Sequence, residues 1–323
     1  MDSSGVAAFL VLVACLAAGS SALKGPVTDH FRQFLKSKGL ESLARDDLGS
    51  YGSFGGKQRA TDRILGQPVV FVHGNSDLAL RRSSSRYQTA WDDVVRHFET
   101  KGGYGSAELY ATTWGEADSS KAVQHAHTCD YLSQVRKHLE AVLEYTAAPK
   151  IDVVAHSMGV TLARRAIRGG AVTDSHGKKC ELGGPLNGRV DTFLSLAGAN
   201  YGLCNCQYAS VLATCNKKDG FYPGSRCGLN FICSLSLRHC DRAKDYSAAF
   251  HDMNTDGFKE GDYVFTFYSE SDEILGRGTK VWGKPTAQLP TETGHKVYSL
   301  LQHMDTRDKT AADQLQAIVK HTV

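Results

Sequence analysis

Hydrophobic positions along the chain fall into two kinds of segment that alternate. Short runs of apolar and β-branched residues, typical of buried strands, are separated by longer stretches in which apolar residues recur every three or four positions, typical of amphipathic helices. This alternation predicts an α/β fold, with a mostly parallel central sheet and helices on both faces. The predicted strands span residues 68–72, 108–114, 151–155, 190–198 and 263–269.

Helices are predicted between these strands and after the last one. The clearest begins at Asp130, where Leu132, Val135 and Leu139 recur at helical spacing. The other predicted helices are "RYQTAWDDVVRHFET" from Arg86, "MGVTLARRAI" directly after Ser157, and "AADQLQAIVK" near the end of the chain.

The first segment outside this alternation is residues 1–22, which we interpret as a signal peptide. An apolar run of secretory length is followed by Ser20 and Ala22, which fit a small-x-small cleavage site. Because Asp2 is the only charge before the run, a short anchor is the alternative. No later segment is long and apolar enough to predict a transmembrane helix, and we expect a secreted, extracellular protein.

The remaining chain divides into an N-terminal arm and one catalytic domain. Residues 23–66 are predicted to be an irregular arm, since glycine and serine dominate residues 48–56. Residues 67–323 form the predicted domain, interrupted at 202–245 by a cysteine-rich insertion that follows the strand at 190–198. The insertion either covers the substrate site as a cap or is a structural insertion stabilised by its disulfides. Its apolar residues, which would form such a cap, are Leu229, Phe231, Ile232 and Leu235.

Composition and charge exclude few functions. With 41% hydrophobic and 22% charged residues the chain has an ordinary globular composition, and its net charge of +3 is small. No run of lysine and arginine is interleaved with aromatic residues, so nothing indicates nucleic acid or an anionic membrane as a partner.

The cysteines indicate disulfides. Of the nine, Cys15 lies in the predicted signal peptide, which leaves an even set of eight and predicts up to four disulfides in a secreted protein. Zinc is the less favoured alternative, because the close pair Cys204 and Cys206 has the wrong spacing for a zinc ligand pair. The pairing is left open, since eight cysteines allow about 105 connectivities.

The chemistry begins with "IDVVAHSMGV", residues 151–160. Ser157 follows an apolar strand and precedes a predicted helix, and the small residues Ala155 and Gly159 flank it as in a nucleophile elbow. The pattern A-H-S-M-G differs from the commoner G-x-S-x-G only in its alanine. Because the helix begins next, the N–H of Met158 is predicted to be one oxyanion donor. A serine that merely caps the helix is the alternative.

A second element is "VVFVHGNSD", in which the first strand ends at His73, Gly74 and Asn75. In a hydrolase of this topology the loop after that strand supplies the other oxyanion donor, and we expect it to be the backbone N–H of Asn75. A simple polar turn is the alternative interpretation.

A serine nucleophile needs a carboxylate and a histidine, which follow it in that order in this fold. Asp272, in the loop after the strand at 263–269, is the predicted acid, with Glu270 as the alternative. His295 follows a glycine in a predicted loop that opens a helix and is the predicted base, with His303 as the alternative. His156, beside Ser157, and His73, in the predicted oxyanion loop, both precede the acid and are predicted to be supporting or packing residues.

With these residues in view, the chain resembles the class 2 lipase family. The resemblance rests on "PVVFVHGNSD", "IDVVAHSMGVTLAR", "VDTFLSLAGANYG" and "FTFYSESDEILG", followed by the glycine-preceded His295. It implies an α/β-hydrolase fold with a Ser157, Asp272 and His295 triad and with Asn75 and Met158 as oxyanion donors. The cysteine-rich insertion and the loop between Asp272 and His295 depart from the family pattern.

The function that this resemblance implies is hydrolysis of carboxylic esters in lipids, as in a triacylglycerol lipase, on a substrate held at a lipid–water interface. No metal or organic cofactor is implied. Two alternatives stay open: a short-chain carboxylesterase or thioesterase on the same fold, and a catalytically silent lipid-binding protein that retains the scaffold.

Overall fold

The computed structural model describes residues 23–225, 227, 246–276 and 279–323. The predicted signal peptide and the four apolar residues of the cysteine-rich insertion lie outside these residues.

A sheet of seven strands forms the centre of the molecule, in the order β1-β3-β2-β4-β7-β8-β11. Its neighbouring strands are parallel, except that β1 runs antiparallel to β3. The strands are β1 (Ser53–Phe54), β2 (Val69–Val72), β3 (Leu109–Thr112), β4 (Ile151–His156), β7 (Val190–Leu196), β8 (Tyr263–Ser269) and β11 (Gly294–Tyr298). Two small antiparallel pairs lie outside this sheet: β5 (Ala171–Thr173) with β6 (Lys179–Glu181), and β9 (Lys280–Val281) with β10 (Lys284–Pro285).

Helices cover both faces of the sheet. They are α1 (Asp29–Ser37), α2 (Asp92–Gly102), α3 (Cys129–Thr146), α4 (Met158–Arg168), α5 (Ala248–Asn254), α6 (Asp305–Asp308) and α7 (Ala311–Lys320). Alternate residues of β4 enter different cores: Val153 packs in the cluster that contains α1, α3, α4 and α5, whereas Val154 packs in the cluster that contains α2 and α7. The central strands are therefore buried on both sides, as their continuous apolar sequences predict.

The predicted α/β fold is confirmed in its central strands and main helices. Each predicted strand is present with its ends within two residues of the prediction, and α4 begins directly after Ser157. The helix predicted from Arg86 begins only at Asp92, because a turn occupies the residues before it.

Two predictions about the ends of the sheet are wrong. The N-terminal arm is not irregular throughout, since it contributes α1 and the edge strand β1. Phe31 and Leu35 of α1 are completely buried, and the Thr28 hydroxyl accepts a hydrogen bond from the Phe31 N–H to cap that helix. The segment around His295, predicted to be a loop opening a helix, is the edge strand β11.

Disulfides are present, as the cysteine count predicts. They join Cys129 to Cys180, Cys204 to Cys227 and Cys206 to Cys215. The two other cysteines of the insertion, Cys233 and Cys240, lie outside the described residues. Within the ranges described, no helix has both the length and the apolar character needed to cross a membrane.

Candidate active site

Ser157 occupies a sharp turn between β4 and α4. Its φ of 55° and ψ of −127° lie in a region that residues with side chains seldom adopt. A Cβ at Gly159 would stand 2.3 Å from the carbonyl oxygen of His73 and 2.4 Å from that of Val72, so only glycine fits there. The turn therefore raises the serine side chain above the carboxyl edge of the sheet, as the elbow pattern predicts.

His303 contacts the serine. Its Nε2 lies 2.8 Å from Ser157 Oγ, and its Nδ1 lies 2.8 Å from Asp272 Oδ2. Because a carboxylate only accepts hydrogen bonds, Nδ1 carries the proton and Nε2 is left to accept the proton of the serine hydroxyl. This arrangement can activate a serine for nucleophilic attack.

Asp272 is fixed in place by the loop after β8. Its Oδ1 accepts hydrogen bonds from the N–H groups of Ile274 and Leu275, at 3.0 and 2.8 Å, and its side chain is fully buried. Both oxygens therefore have donors, and the second oxygen faces the histidine. Glu270, the alternative acid, is exposed at the surface.

The prediction that His295 completes this arrangement is corrected by the structure. His295 lies within β11, opposite Thr266 of β8, where its side chain is 44% exposed and its Nδ1 is 2.8 Å from Glu292 Oε1. The carboxyl ends of parallel strands meet at one edge of the sheet, and His303 follows the end of β11 at that edge. Because the exposed positions of β11 hold both His295 and Val297, its sequence carries no polar–apolar alternation that would have identified a strand.

Sequence reasoning also missed a carboxylate that orients this histidine through its main chain. Glu273 Oε2 accepts a hydrogen bond of 2.9 Å from the N–H of His303. Glu273 stands next to Asp272 in the sequence, but its contact with His303 forms only because the loop after β11 packs against the loop after β8.

A cavity of about 260 Å³ opens beside Ser157. Its lining consists mainly of the loop after β2, a 3₁₀ helix and the residues around the histidine: Gly74, Asn75, Ser76, Asp77, Tyr87, Ser119, Ala122, His156, Ser157, Ile274, His303 and Met304.

The two predicted oxyanion donors, Asn75 and Met158, lie next to this cavity and to Ser157. The side-chain amide of Asn75 donates to the carbonyl oxygen of Ala122, at 2.9 Å. Met158 is the first residue of α4, so its N–H has no acceptor within the helix.

The two histidines predicted to be packing residues are buried beside the site. Burial lowers the pKa of His73 to about 3, and it also lowers the pKa of His156 well below its usual value. The His73 ring accepts a hydrogen bond of 3.0 Å from the Trp114 main-chain N–H, and the His156 Nε2–H donates to the His303 carbonyl oxygen at 3.2 Å. Both rings are therefore neutral supports of the loops around the cavity.

Of the comparisons with known proteins, one identifies a family and another returns distant structures. The sequence model of the family "Lipase (class 2)" matches residues 66–316. A search of curated proteins found no significant match. The chain is similar to lipase B of Aspergillus fumigatus at 11% identity and a TM-score of 0.46, over 77% of this chain and 48% of that protein. It therefore spans about half the length of that lipase.

A second solved structure is matched over nearly its whole length. It is a monoacylglycerol lipase of Paleococcus ferrophilus, with 15% identity, a TM-score of 0.43, and coverage of 84% of this chain and 98% of that one. The family model extends over well more than half of the sequence and includes each loop that borders the cavity. The chain therefore belongs to the class 2 lipase family, and its mostly parallel sheet with helices on both faces has the α/β-hydrolase fold.

Proposed function

We propose that this protein is a secreted serine hydrolase that cleaves the carboxylic ester bonds of lipids. Ser157 is the nucleophile, His303 the general base and Asp272 the acid that orients it. The observation that carries the proposal is the continuous hydrogen-bonded chain from Asp272 through His303 to Ser157, with both contacts at 2.8 Å.

In the first half of the reaction, His303 Nε2 takes the hydroxyl proton as Ser157 Oγ bonds to the ester carbonyl carbon. The negative charge that develops on the carbonyl oxygen is stabilised by the N–H groups of Asn75 and Met158. His303 then gives the proton to the leaving oxygen, the carbon–oxygen bond of the ester breaks, and an alcohol departs from the acyl-enzyme.

In the second half, His303 takes a proton from water, whose oxygen attacks the acyl carbon. The bond between that carbon and Ser157 Oγ breaks, the serine recovers its proton from His303, and a carboxylic acid is released. Asp272 stays ionised throughout and stabilises the imidazolium that forms twice in each turnover.

Membership of a lipase family and the mainly apolar cavity support a lipid ester as substrate, of the triacylglycerol type. A short-chain carboxylesterase or thioesterase is the second candidate. It is favoured by the cavity volume of about 260 Å³, which lies below the roughly 300–1,000 Å³ typical of small-molecule pockets.

Secretion is supported by two features at different places in the chain. An apolar run followed by small residues stands at residues 1–22. Three disulfides lie among the described residues of the domain, and such bonds persist in oxidising compartments.

The experiment compares three variants on a soluble ester. We expect Ser157→Ala and His303→Gln each to lower kcat/KM by at least about 10³-fold, because each removes an essential part of the nucleophilic system. His295→Gln is the matched control: it removes an exposed histidine and should leave the rate within about twofold of wild type. Loss of activity in His295→Gln with activity retained in His303→Gln would contradict the assignment.

Substrate class is tested separately with glycerol esters of increasing acyl length, each supplied dissolved and emulsified. A lipase should hydrolyse the emulsified long-chain esters, whereas preference for dissolved short-chain esters or for thioesters would identify the second candidate. Failure of an active-site phosphonate to label Ser157 would indicate a catalytically silent protein.

A further inference from the structure

A second pairing of a histidine with a carboxylate lies beside the cavity, outside the proposed triad. His125 and Glu116 belong to the connection between β3 and α3, which also contains the 3₁₀ helix Ser119–Gln124 on the cavity wall. His125 is only 2% exposed, and its Nε2 lies 2.9 Å from Glu116 Oε2. The reaction described above uses neither residue.

His125 is connected to the cavity through the side chain of Asn75. The Asn75 Nδ2 donates to the Ala122 carbonyl oxygen at 2.9 Å, which fixes the orientation of the amide. Its Oδ1 is therefore an acceptor, and it lies 2.5 Å from His125 Nδ1 and 2.9 Å from the Ser76 hydroxyl. Three contacts thus hold the side chain of the residue whose main-chain N–H is proposed to bind the oxyanion.

Both ring nitrogens of His125 face acceptors. Nδ1 faces an amide oxygen and Nε2 faces a carboxylate oxygen, so each nitrogen must carry a proton for both contacts to be hydrogen bonds. The Tyr131 hydroxyl donates to the Glu116 carboxylate from α3, at 3.1 and 3.2 Å, which leaves that carboxylate an acceptor toward His125. The two ring nitrogens of His125 thus link the Asn75 side chain to the Glu116 carboxylate.

We infer that Glu116 and His125 are positioning residues for the ester hydrolysis proposed above: they hold the Asn75 side chain so that its main-chain N–H faces the developing oxyanion. This inference rests on the proposed function. An N–H that binds the transition state more strongly than the substrate contributes to kcat rather than to KM.

The first test is His125→Ala. We expect kcat to fall about 10- to 100-fold with KM nearly unchanged, since a misplaced oxyanion donor loses part of the roughly 10²- to 10³-fold contribution that such a donor makes. Removal of a residue with a merely structural role would change stability without this division between kcat and KM.

The second test compares Glu116→Ala with Glu116→Gln. Alanine leaves the Nε2–H of His125 without its acceptor, so kcat should fall with KM nearly unchanged, as in His125→Ala. The amide oxygen of a glutamine can still accept from that N–H, so Glu116→Gln should recover part of the kcat that Glu116→Ala loses.

The matched control for Glu116→Ala is Glu140→Ala. Glu140 has almost the same side-chain exposure as Glu116, 47% against 49%, and pairs with Arg136 away from the cavity. Glu140→Ala should keep the wild-type kcat and KM. Because Glu116 is half-exposed, its variants test the inference even if His125→Ala does not fold, which phosphonate titration and thermal unfolding would reveal.

Two results would overturn the inference: a folded His125→Ala with wild-type kcat, or a folded Glu116→Ala with wild-type kcat. Failure of the proposed function has a different signature, because wild-type Ser157 would then neither turn over esters nor react with the phosphonate.

Discussion

Ser157 shows how much a single position depends on its neighbours. Its left-handed backbone, at φ 55°, costs of order 1–3 kcal/mol, which the surrounding packing must offset. Gly159 lets the main chain of the loop after β2 approach the start of α4, and Gly74 similarly lies where a Cβ would be 2.9 Å from Ser157 Cβ. The two glycines thus allow the loop after β2 to approach Ser157.

Gly159→Ala should therefore be destabilising. The new Cβ would meet two main-chain carbonyl oxygens at less than 2.5 Å, and main chain cannot rotate away as a side chain can. We expect a loss of about 1–3 kcal/mol in the free energy of unfolding, measured by denaturant titration. Gly188→Ala is the control, since no heavy atom lies within 4 Å of its added Cβ. Equal stabilities of the two variants would refute the close-approach argument.

The sequence predicted the site residues whose position is determined locally. Ser157 and Asp272 each follow an apolar strand closely, so the strand pattern was enough to locate them. The base was misassigned because its position depends on β11, an edge strand of polar and apolar residues that carries His295 within it. Once that strand is recognised, the histidine at the end of the following loop is His303.

At the scale of elements, a buried ion pair joins two of the loops that form the cavity. Arg307 of α6 contacts Asp77 in the loop after β2 with Nη1 2.6 Å from Oδ2, and both side chains are buried. Arg307 also lies over the Trp91 ring, 5.1 Å from its centroid. The element that follows His303 is thereby tied to the loop that contains Asn75.

Arg307→Met should cost far more than loss of a surface ion pair. The substitution leaves the Asp77 carboxylate buried without its cation, and we expect a loss of about 3–5 kcal/mol in the free energy of unfolding. Arg96→Met is the control, because the exposed pair of Arg96 with Asp93 contributes no more than about 1 kcal/mol. Similar losses in both variants, measured by denaturant titration, would show that Asp77 finds another partner or water.

The elements predicted correctly are those with the strongest patterns. β2, β4 and β8 are almost wholly buried, so their apolar runs are continuous, and α3 repeats its apolar residues over five turns. The edge strands β1 and β11 were missed because β1 is very short and β11 faces solvent on one side. Helix α1 was missed because the whole arm was judged from the glycine and serine content of residues 48–56. The earlier part of the arm, which forms α1, is amphipathic.

Across the whole molecule, buried histidines make stability depend on pH. Among the histidines that the structure describes, burial lowers the pKa of four below the usual 6.5: His73, His127, His138 and His156. The unfolded chain binds protons at these positions below about pH 6.5, whereas the folded protein excludes them. Their contribution to stability is therefore complete above that pH and is lost as the pH falls toward the folded-state pKa values.

His138 allows this prediction to be tested at one position. Burial lowers its pKa to about 3, and in the part of the chain that the structure describes neither of its ring nitrogens has a hydrogen-bond partner. His138→Leu should therefore stabilise the fold by about 1–3 kcal/mol at pH 8, because it removes unsatisfied polar atoms from the core. At pH 5 the unfolded wild-type chain binds a proton at His138, which lowers the stability of wild type. The variant has no histidine there and keeps its stability.

The difference in the free energy of unfolding between His138→Leu and wild type should consequently be about 2 kcal/mol larger at pH 5 than at pH 8. Wild type binds a proton at this position only when unfolded, so it is wild type that loses stability at pH 5, and the advantage of the variant is larger there by that amount. Denaturant titrations at pH 5 and pH 8 measure both values. His176→Leu, at an exposed position, should show no such change. An equal advantage at the two pH values would mean that His138 is protonated in the folded protein.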